Sequence, residues 1–271
     1  MRDCTALASS NGMTISELRF VHTVLFNKDV RPHAALSNAE QSRFDEVLAR
    51  YGQGVPLGYI LGEEAFYGLR FFVDERVLIP RPETELLVEA SLSWIAGKKG
   101  TPVRVLDLCS GSGVVGISIA THCAKGSRVS LFFSDISEDT FPVLRRNAAY
   151  HRIDEYRVVR SDALSAFASG SFDLVVCNPP YVEDAFLANN TALSHEPLVA
   201  LRGGPDGAAV CRKILVQARS RLRAGGRLLM EISEKNSDDL LSFATRLFGE
   251  GACRIDVDYA GKDRILSVEA S

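Results

Sequence analysis

Residues 103–116 read Val-Arg-Val-Leu-Asp-Leu-Cys-Ser-Gly-Ser-Gly-Val-Val-Gly. The first four residues are largely apolar and predict a buried strand, whereas the residues from Val114 onward predict a helix. Between them, Gly111, Gly113 and Gly116 satisfy the G-x-G-x-x-G pattern in the strand–turn–helix context that a cofactor-binding loop requires. The sequence therefore predicts a cofactor at this turn, with Gly111 and Gly113 in contact with it.

Strands and helices alternate along the chain after this loop, which implies a parallel, doubly wound sheet of the α/β class. Further elements are predicted as strands at 129–133, 156–159, 172–176 and 227–232, helices at about 208–222 and 237–247, a turn at 224–226, and two last antiparallel strands at 255–259 and 264–268. The segment 182–207 is longer than most connections, so we expect it to be a functional loop.

The residues that precede the sheet predict a small helical bundle. Thr14 with Glu17, and Ser37 with Glu40, have the spacing of capping boxes, and each pair precedes an apolar stripe of helical period. A hairpin with Gly68 near its turn follows. We therefore divide the chain into a helical bundle (1–62), a β-hairpin linker (63–80) and a cofactor-binding domain (81–271).

Charge and composition argue against several classes of partner. The net charge is −3, and residues 1–62 carry six basic and six acidic side chains, so no basic surface is expected to attract nucleic acid or an anionic membrane. None of the six cysteines forms a C-x-x-C pair, so no metal site is predicted. No apolar run approaches membrane-spanning length and no secretory signal pattern opens the chain, so the expected location is the cytoplasm.

Acidic residues end three successive predicted strands, and such ends meet over one crevice of an open sheet. Asp135 lies 24 positions after Gly111, about where an acid holds ribose hydroxyls, and Ile136 follows it. Asp162 ends the next strand, where its carboxylate can accept from an adenine amino group. Asp107 stands beside the glycine turn, where it would repel a pyrophosphate but suits the ammonium of a methionyl group. S-adenosylmethionine is therefore favoured over a dinucleotide.

A second motif, Asn178-Pro179-Pro180-Tyr181, follows the apolar strand at 172–176. Two consecutive prolines cannot continue a sheet, so the strand ends there. The Asn178 oxygen and the Pro179 carbonyl are two acceptors suited to an N–H₂ group, with Tyr181 as a lid and Asn178 bordering the cofactor. The alternative is a stiff loop with a capping asparagine, and these residues alone do not decide between the two.

The segment around Pro82 allows two interpretations. Pro82 suits the first turn of a helix, and helix capping accounts for Glu83 and Thr84. Arg81, which lies between Pro80 and Pro82, is also well placed to line a substrate site with the Glu83 carboxylate and the Thr84 hydroxyl that follow.

The chain resembles the class I S-adenosylmethionine-dependent methyltransferases and, more narrowly, the release factor glutamine methyltransferase family. The resemblance extends from about Leu36 to Glu269. The motifs that carry it are Ile79–Glu85, Asn178–Tyr181, Glu196-Pro197, Ala200-Leu201, Gly203–Gly207, and Gly261 with Asp263-Arg264.

This resemblance implies a seven-stranded catalytic domain that transfers a methyl group to a glutamine side-chain amide of a translation release factor. It implies that Asn178 and the Pro179 carbonyl hold the amide N–H₂ and that Tyr181 packs on the acceptor. The residues expected on the substrate side are Pro80, Arg81, Glu83, Thr84, Pro180, Tyr181 and Glu196.

Three departures from the family pattern keep other hypotheses open. Residues 233–236 replace the usual Gly and Gln after the fifth strand, and Cys109-Ser110 replace Gly-Thr in the glycine loop. The opening of the N-terminal domain, where a large protein substrate would be expected to dock, matches the family poorly. A second hypothesis is thus a small-molecule N-methyltransferase acting on a free amino acid, at an amide or at a guanidino nitrogen as in arginine. A nucleic-acid amino-methyltransferase is disfavoured by the net charge, and a non-enzymatic cofactor-binding protein is disfavoured by Asn178.

Overall fold

A computed structural model describes residues 12–26, 37–98, 100–124, 128–190 and 193–271. The chain separates into two compact units, residues 1–64 and residues 65–271. The boundary falls within the first strand of the hairpin that was expected to form a linker. The division into three parts stays a prediction.

The first unit contains helices α1 (Ile15–Phe26), α2 (Asn38–Gly52) and α3 (Leu57–Leu61). Both capping boxes form: the Glu17 amide donates to Thr14 Oγ1 at 3.1 Å, and Ser37 caps α2 reciprocally with Glu40. The buried side chains Leu18, Val21, Phe44 and Val47 of these helices form a small core of their own with Met13, which precedes α1.

The expected hairpin is present, with strands β1 (Glu63–Phe66) and β2 (Leu69–Phe72). Tyr67 and Gly68 connect them with φ angles of 49° and 70°. Two consecutive left-handed residues are the geometry of a tight hairpin turn whose twist matches that of the strands, and glycine adopts it without strain.

Beyond the hairpin, the described strands are β3 (Val103–Leu108), β4 (Val129–Asp135), β5 (Tyr156–Arg160), β6 (Phe172–Cys177), β7 (Val182–Glu183), β8 (Arg202–Gly204), β9 (Leu222–Glu231), β10 (Cys253–Val257) and β11 (Asp263–Glu269). The second unit is built on a seven-stranded sheet in the order β10-β11-β9-β6-β3-β4-β5. In this sheet β11 is antiparallel to both of its neighbours, β10 and β9, whereas the other described pairs are parallel. The predicted antiparallel pair at the C-terminal end is confirmed. The strand order reverses beside β3, and such a switch point is where open α/β sheets bind ligands.

Helices cover both faces of the sheet, as a doubly wound fold requires. The described α-helices of this unit are α4 (Glu85–Ala96), α5 (Val114–His122), α6 (Phe141–Tyr150), α7 (Asp184–Asn189), α8 (Leu198–Leu201), α9 (Ala209–Arg221) and α10 (Ser237–Phe248). Helices α4, α5 and α6 share one apolar core with the sheet, and α9 and α10 share the other. None of the described helices is long and apolar enough to cross a membrane.

Two expectations about the chain path were wrong. The segment 182–207 is not one loop, because its described residues include α7, α8 and the parallel strand pair β7–β8. Gly225 and Gly226 lie inside β9 rather than in a turn before it. The pairing of β9 with β6 shifts its register at this point. A Cβ on Gly226 would lie 2.8 Å from the Arg223 carbonyl oxygen, so this irregular strand needs a residue without a side chain.

Gly116 fixes the approach of α5 to the sheet. A Cβ there would lie 2.6 Å from a Phe133 ring carbon and 3.0 Å from the Asp107 Cβ. We therefore expect Gly116→Ala to lower the free energy of unfolding by about 1–3 kcal/mol, as overpacking does. The matched control is Gly52→Ala, because a Cβ at Gly52 meets nothing within 4 Å. Denaturant unfolding measures the free energy of unfolding of both variants. Equal values for Gly116→Ala and Gly52→Ala would show that the core side chains around Gly116 move to make room for the added methyl group.

Candidate active site

A cavity of about 450 Å³ lies at the carboxyl ends of the central strands. It brings together most of the side chains singled out in the sequence: Pro80, Thr84, Asp107, Gly111, Asp135, Ile136, Asp162, Asn178 and Pro180. The other candidates, Arg81, Glu83, Gly113, Pro179, Tyr181 and Glu196, do not line it. The cavity is therefore bordered by the glycine loop on one side and by the segments around Thr84 and Asn178 on the other.

Asp107 is the most deeply buried acid at this cavity, with 2% of its surface exposed. Its Oδ2 accepts from the Gly116 amide at 2.8 Å. Burial and the nearby charge of Asp135 raise the pKa of Asp107 to about 8, although the hydrogen bond from the Gly116 amide lowers it. Such a carboxyl gains from a cationic partner, so this residue fits the ammonium of a methionyl group.

Asp135 connects the glycine loop to the end of β4. Its Oδ2 accepts from the Gly111 amide at 2.9 Å and its Oδ1 accepts from the Ser137 amide at 3.0 Å. Burial raises the pKa of Asp135, and these amides lower it. Each carboxylate oxygen can still accept a second hydrogen bond, so the residue remains suited to ribose hydroxyls.

Asp162 lies at the same cavity but is more exposed and already has a cationic partner. Its Oδ2 contacts Lys213 Nζ at 2.5 Å, and Lys213 also lines the cavity. The lysine belongs to α9, 51 residues away along the chain, so no local pattern indicated it. The second carboxylate oxygen can still accept from an amino group.

The glycine loop is shaped by backbone conformation rather than by side chains. Gly113 begins α5 with φ 81°, and a Cβ there would crowd Leu144 and Ile117 at 3.1 Å. Cys109 has φ 56°. The loop therefore places a residue with a side chain in the left-handed region, which glycine adopts more readily.

Asn178 is held by a side chain 94 residues away. Its Nδ2 donates to Thr84 Oγ1 at 3.0 Å, and Thr84 is 2% exposed. No donor among the described residues reaches Asn178 Oδ1 or the Pro179 carbonyl oxygen. Two acceptors therefore remain at the end of β6 for the hydrogens of a ligand.

Tyr181 is anchored instead of forming an open lid. Its hydroxyl donates to Glu231 Oε1 at 2.8 Å, and its ring packs on the core that α9 and α10 share. Burial and the Glu231 carboxylate raise the pKa of Tyr181, so the phenol stays protonated. Its packing on an acceptor stays a prediction.

Glu231 is a residue that the sequence analysis missed. It ends β9, is 1% exposed, and has one oxygen, Oε2, without a hydrogen-bond partner in the described part of the chain. Burial raises its pKa, whereas the neighbouring Thr84 and Tyr181 hydroxyls and the Arg264 guanidinium lower it. The signal available in the sequence was an acid closing an otherwise apolar run, Leu228 to Glu231.

Arg81 and Glu196 pair with each other instead of facing the cavity. The guanidinium contacts Glu196 Oε1, and Oε2 accepts from the Ile79 amide at 3.2 Å. The Glu196 side chain is only 4% exposed. This pair ties the segment before α4 to the segment before α8, so its role in this structure is to shape the walls of the site.

Two glycines pack closely against the backbone of the Asn178–Tyr181 motif. A Cβ on Gly203 would lie 2.7 Å from the Tyr181 Cα, and one on Gly207 would lie 2.6 Å from the Tyr181 carbonyl oxygen. The Gly203–Gly207 motif therefore packs directly against Tyr181, which explains in physical terms why the two motifs occur together.

The sheet order, the glycine loop, the buried acid beside it and the cavity at the switch point define a class I S-adenosylmethionine-dependent methyltransferase. The methyltransferase small domain family matches residues 84–198. Two solved structures share the fold. One is the ribosomal protein L11 methylase of Lactobacillus delbrueckii subsp. bulgaricus (TM-score 0.51, 20% identity, 73% of this chain and 84% of that chain). The other is the 16S rRNA N2 G1207 methyltransferase of T. thermophilus (TM-score 0.53, 18% identity, 77% of this chain and 50% of that chain).

Sequence relatives identify the family. The release factor glutamine methyltransferase of Chlorobaculum tepidum is 40% identical over 228 residues, which cover 80% of this chain and 76% of that protein. The protein of the same name from Agrobacterium fabrum is 32% identical over 246 residues, which cover 88% and 82% of the two chains. The chain belongs to the release factor glutamine methyltransferase family, and S-adenosylmethionine is its cofactor.

Proposed function

We propose that this enzyme methylates the side-chain amide nitrogen of a glutamine in a peptide chain release factor. The observation that carries this proposal is the orientation of Asn178, whose Nδ2 is engaged by Thr84 while Oδ1 and the Pro179 carbonyl keep their acceptor capacity. The names of the sequence relatives support the choice of substrate. The free amino acid hypothesis has no such support.

The two acceptors address the main difficulty of the reaction, which is that an amide nitrogen is a poor nucleophile. Asn178 Oδ1 and the Pro179 carbonyl accept the two N–H hydrogens, which raises electron density on the nitrogen and fixes its direction of attack. Alignment of this kind can contribute roughly 7–11 kcal/mol to lowering a barrier. The methylated nitrogen is far more acidic than the amide, so its proton leaves to water after transfer and no dedicated general base is required.

The cofactor supplies the electrophilic methyl group when bound. We propose that Asp107 holds its ammonium and that the N-terminus of α5 faces its carboxylate. Asp135 with Ile136 borders the ribose, and Asp162 accepts from the adenine amino group. These roles agree with the burial and free acceptor capacity of each acid.

On the substrate side, we propose that Pro80, Thr84 and Pro180 contact the acceptor glutamine, because they line the cavity with Asn178. Arg81 and Glu196 shape the wall through their ion pair. Glu83 and Tyr181 do not line the cavity, and we retain the proposal that Tyr181 packs on the acceptor beside the Asn178 and Pro179 acceptors.

We also propose a cytoplasmic location, since release factors act on ribosomes there. The five described cysteines are free thiols, which suits a reducing compartment.

The test is methyl transfer from labelled S-adenosylmethionine to a purified release factor, with free glutamine and free arginine as parallel acceptors. We expect label in the release factor and none after its acceptor glutamine is replaced by alanine. Label in a free amino acid alone would contradict the proposed substrate while leaving the methyltransferase activity intact.

A further inference from the structure

Asn147 is a polar side chain on α6 that is fully buried and does not line the cavity. Burying a polar side chain is costly unless its hydrogen-bonding groups are satisfied, so the partners of such a residue show what it does. The partners of Asn147 belong to two segments that are distant from each other in the sequence. One is the glycine loop, and the other is the last strand of the hairpin.

Three hydrogen bonds join Asn147 to these two segments. Its Nδ2 donates to the Ser112 carbonyl oxygen in the glycine loop at 2.9 Å and to the Phe72 carbonyl oxygen in β2 at 3.0 Å. Its Oδ1 accepts from the Phe72 amide at 2.7 Å. The partners are thus two acceptors and one donor, and an amide side chain matches that set because it carries two N–H groups and one oxygen.

The rest of α6 packs against the same two segments. In its first half, Leu144 lies close to the glycine loop, since a Cβ on Gly113 would come within 3.1 Å of the Leu144 Cγ. In its second half, the Arg146 guanidinium carbon lies 3.6 Å from the centroid of the Phe72 ring. Helix α6 therefore contacts both the loop and the hairpin, and Asn147 bonds to the backbone of each.

The strand that Asn147 holds leads directly into a wall of the cavity. Phe72 is the last residue of β2, and residues 76–78 line the cavity shortly after it. Ser112 lines the same cavity from the glycine loop. The hydrogen bonds of Asn147 therefore fix the start of one cavity wall relative to another.

We propose that Asn147 is a positioning residue for S-adenosylmethionine, which holds the segment after β2 (residues 73–78) against the glycine loop so that both walls meet the cofactor. Asn147 itself touches neither cofactor nor substrate. Because the two walls are joined through this side chain, the hairpin contributes to cofactor affinity. The inference rests on the proposed position of the cofactor beside the glycine loop, and it applies to any methyl acceptor.

The decisive variant is Asn147→Leu, which keeps the branching and approximate size of the side chain and removes all three hydrogen bonds. We expect its dissociation constant for S-adenosylhomocysteine and its KM for S-adenosylmethionine to rise on the order of 5–150-fold, the usual range for energetic coupling between two sites. At saturating cofactor, kcat should stay near that of the wild type, because the acceptor groups of Asn178 and Pro179 are unchanged. Calorimetry and steady-state methyl transfer measure the two effects.

Leu240→Ala is the matched control for lost stability, because Leu240 is buried in the core that α9 and α10 share, on the other face of the sheet. This variant should unfold more easily and still bind S-adenosylhomocysteine with wild-type affinity. Phe72→Ala tests the inference from the hairpin side, because it removes the ring that packs on Arg146. It should weaken S-adenosylhomocysteine binding, although Phe72 does not line the cavity.

An unchanged dissociation constant in Asn147→Leu would overturn the inference. An equal loss of affinity in Leu240→Ala would overturn it too, because the effect would then come from general destabilisation. A lower kcat with an unchanged KM would place the effect of Asn147 on the acceptor side and contradict the proposal. If Asn147→Leu does not fold, wild-type affinity in Phe72→Ala would overturn it as well.

The binding measurement needs no methyl acceptor, so it separates this inference from the proposed substrate. Wild type that binds S-adenosylhomocysteine but fails to label the release factor would contradict the proposed substrate. Weaker S-adenosylhomocysteine binding in Asn147→Leu would still support the role of Asn147 in that case.

Discussion

Asn178→Ala is expected to lower kcat for methyl transfer by on the order of 10²–10³-fold, the usual loss when one oriented polar group that acts on the reacting centre is removed. The alanine has no oxygen to accept the substrate N–H, so the amide loses one of its two fixed directions. Affinity for S-adenosylhomocysteine should remain close to that of the wild type, because Asp107 and Asp135, the residues we propose for cofactor binding, line the cavity unchanged.

The measurement is single-turnover methyl transfer to the release factor, with calorimetry of S-adenosylhomocysteine binding on the same samples. Asn189→Ala is the matched control, because this exposed asparagine side chain donates to the Ala185 carbonyl of its own helix at 2.8 Å. Turnover that survives in Asn178→Ala would show that the acceptor site lies elsewhere. A parallel loss of S-adenosylhomocysteine binding would show that Asn178 acts mainly on the cofactor.

The fold was predictable because its signals are local. An apolar run, a glycine turn and a helix lie within residues 103–116, and alternating strands and helices follow it. The acids Asp107, Asp135 and Asp162 were found for a similar reason. They end successive strands, and the topology of a parallel sheet brings strand ends to one cavity without any information about side-chain contacts.

The contacts that the sequence did not reveal all join distant parts of the chain. Asn178 bonds to a residue 94 positions away, and Tyr181 bonds to Glu231, 50 positions away. Neither pair has a spacing rule, since each depends on how two loops meet over the sheet. The interpretation of Tyr181 therefore considered its aromatic ring alone. It overlooked the buried Glu231 carboxylate, which accepts a hydrogen bond from the Tyr181 hydroxyl.

The segment 182–207 escaped prediction for another reason. Its strands β7 and β8 have two and three residues, and α8 has four, which is too short for a hydrophobic period to appear. Their order comes from tertiary packing instead, including the close approach of Gly203 and Gly207 to Tyr181. The composition of the segment resembles that of a loop because its side chains carry little of the packing.

Asp107→Asn should weaken the binding of S-adenosylmethionine by about 2–5 kcal/mol, the range for removal of one partner of a buried charge pair. The asparagine can still accept from the Gly116 amide through its oxygen, so the glycine loop keeps its 2.8 Å hydrogen bond. The negative charge that we propose holds the methionyl ammonium is lost. Calorimetry with S-adenosylhomocysteine measures the effect, and wild-type affinity in Asp107→Asn would show that another group binds the ammonium.

The same substitution should stabilise the protein without its cofactor. Burial raises the pKa of Asp107 from an ordinary 3.8 to about 8 in the folded state. The unfolded state therefore releases this proton first. The stabilising contribution of the protonated carboxyl is complete below about pH 4 and is lost as the pH rises through about 8, with a slope near 1.4 kcal/mol per pH unit between those values. Asparagine carries no such proton, so the advantage of Asp107→Asn should grow from pH 5 to pH 8.

Denaturant unfolding at several pH values measures this difference, with the exposed Asp154→Asn as the matched control. Cofactor binding adds an independent check, because the ammonium favours the ionised form of Asp107. Binding at pH 7 should release close to one proton in the wild type and none from this site in Asp107→Asn, as calorimetry in buffers of different ionisation enthalpy would record. A pH-independent stability difference would show that Asp107 is already ionised before the cofactor binds, and that the buried acid is compensated by its surroundings instead of by its ligand.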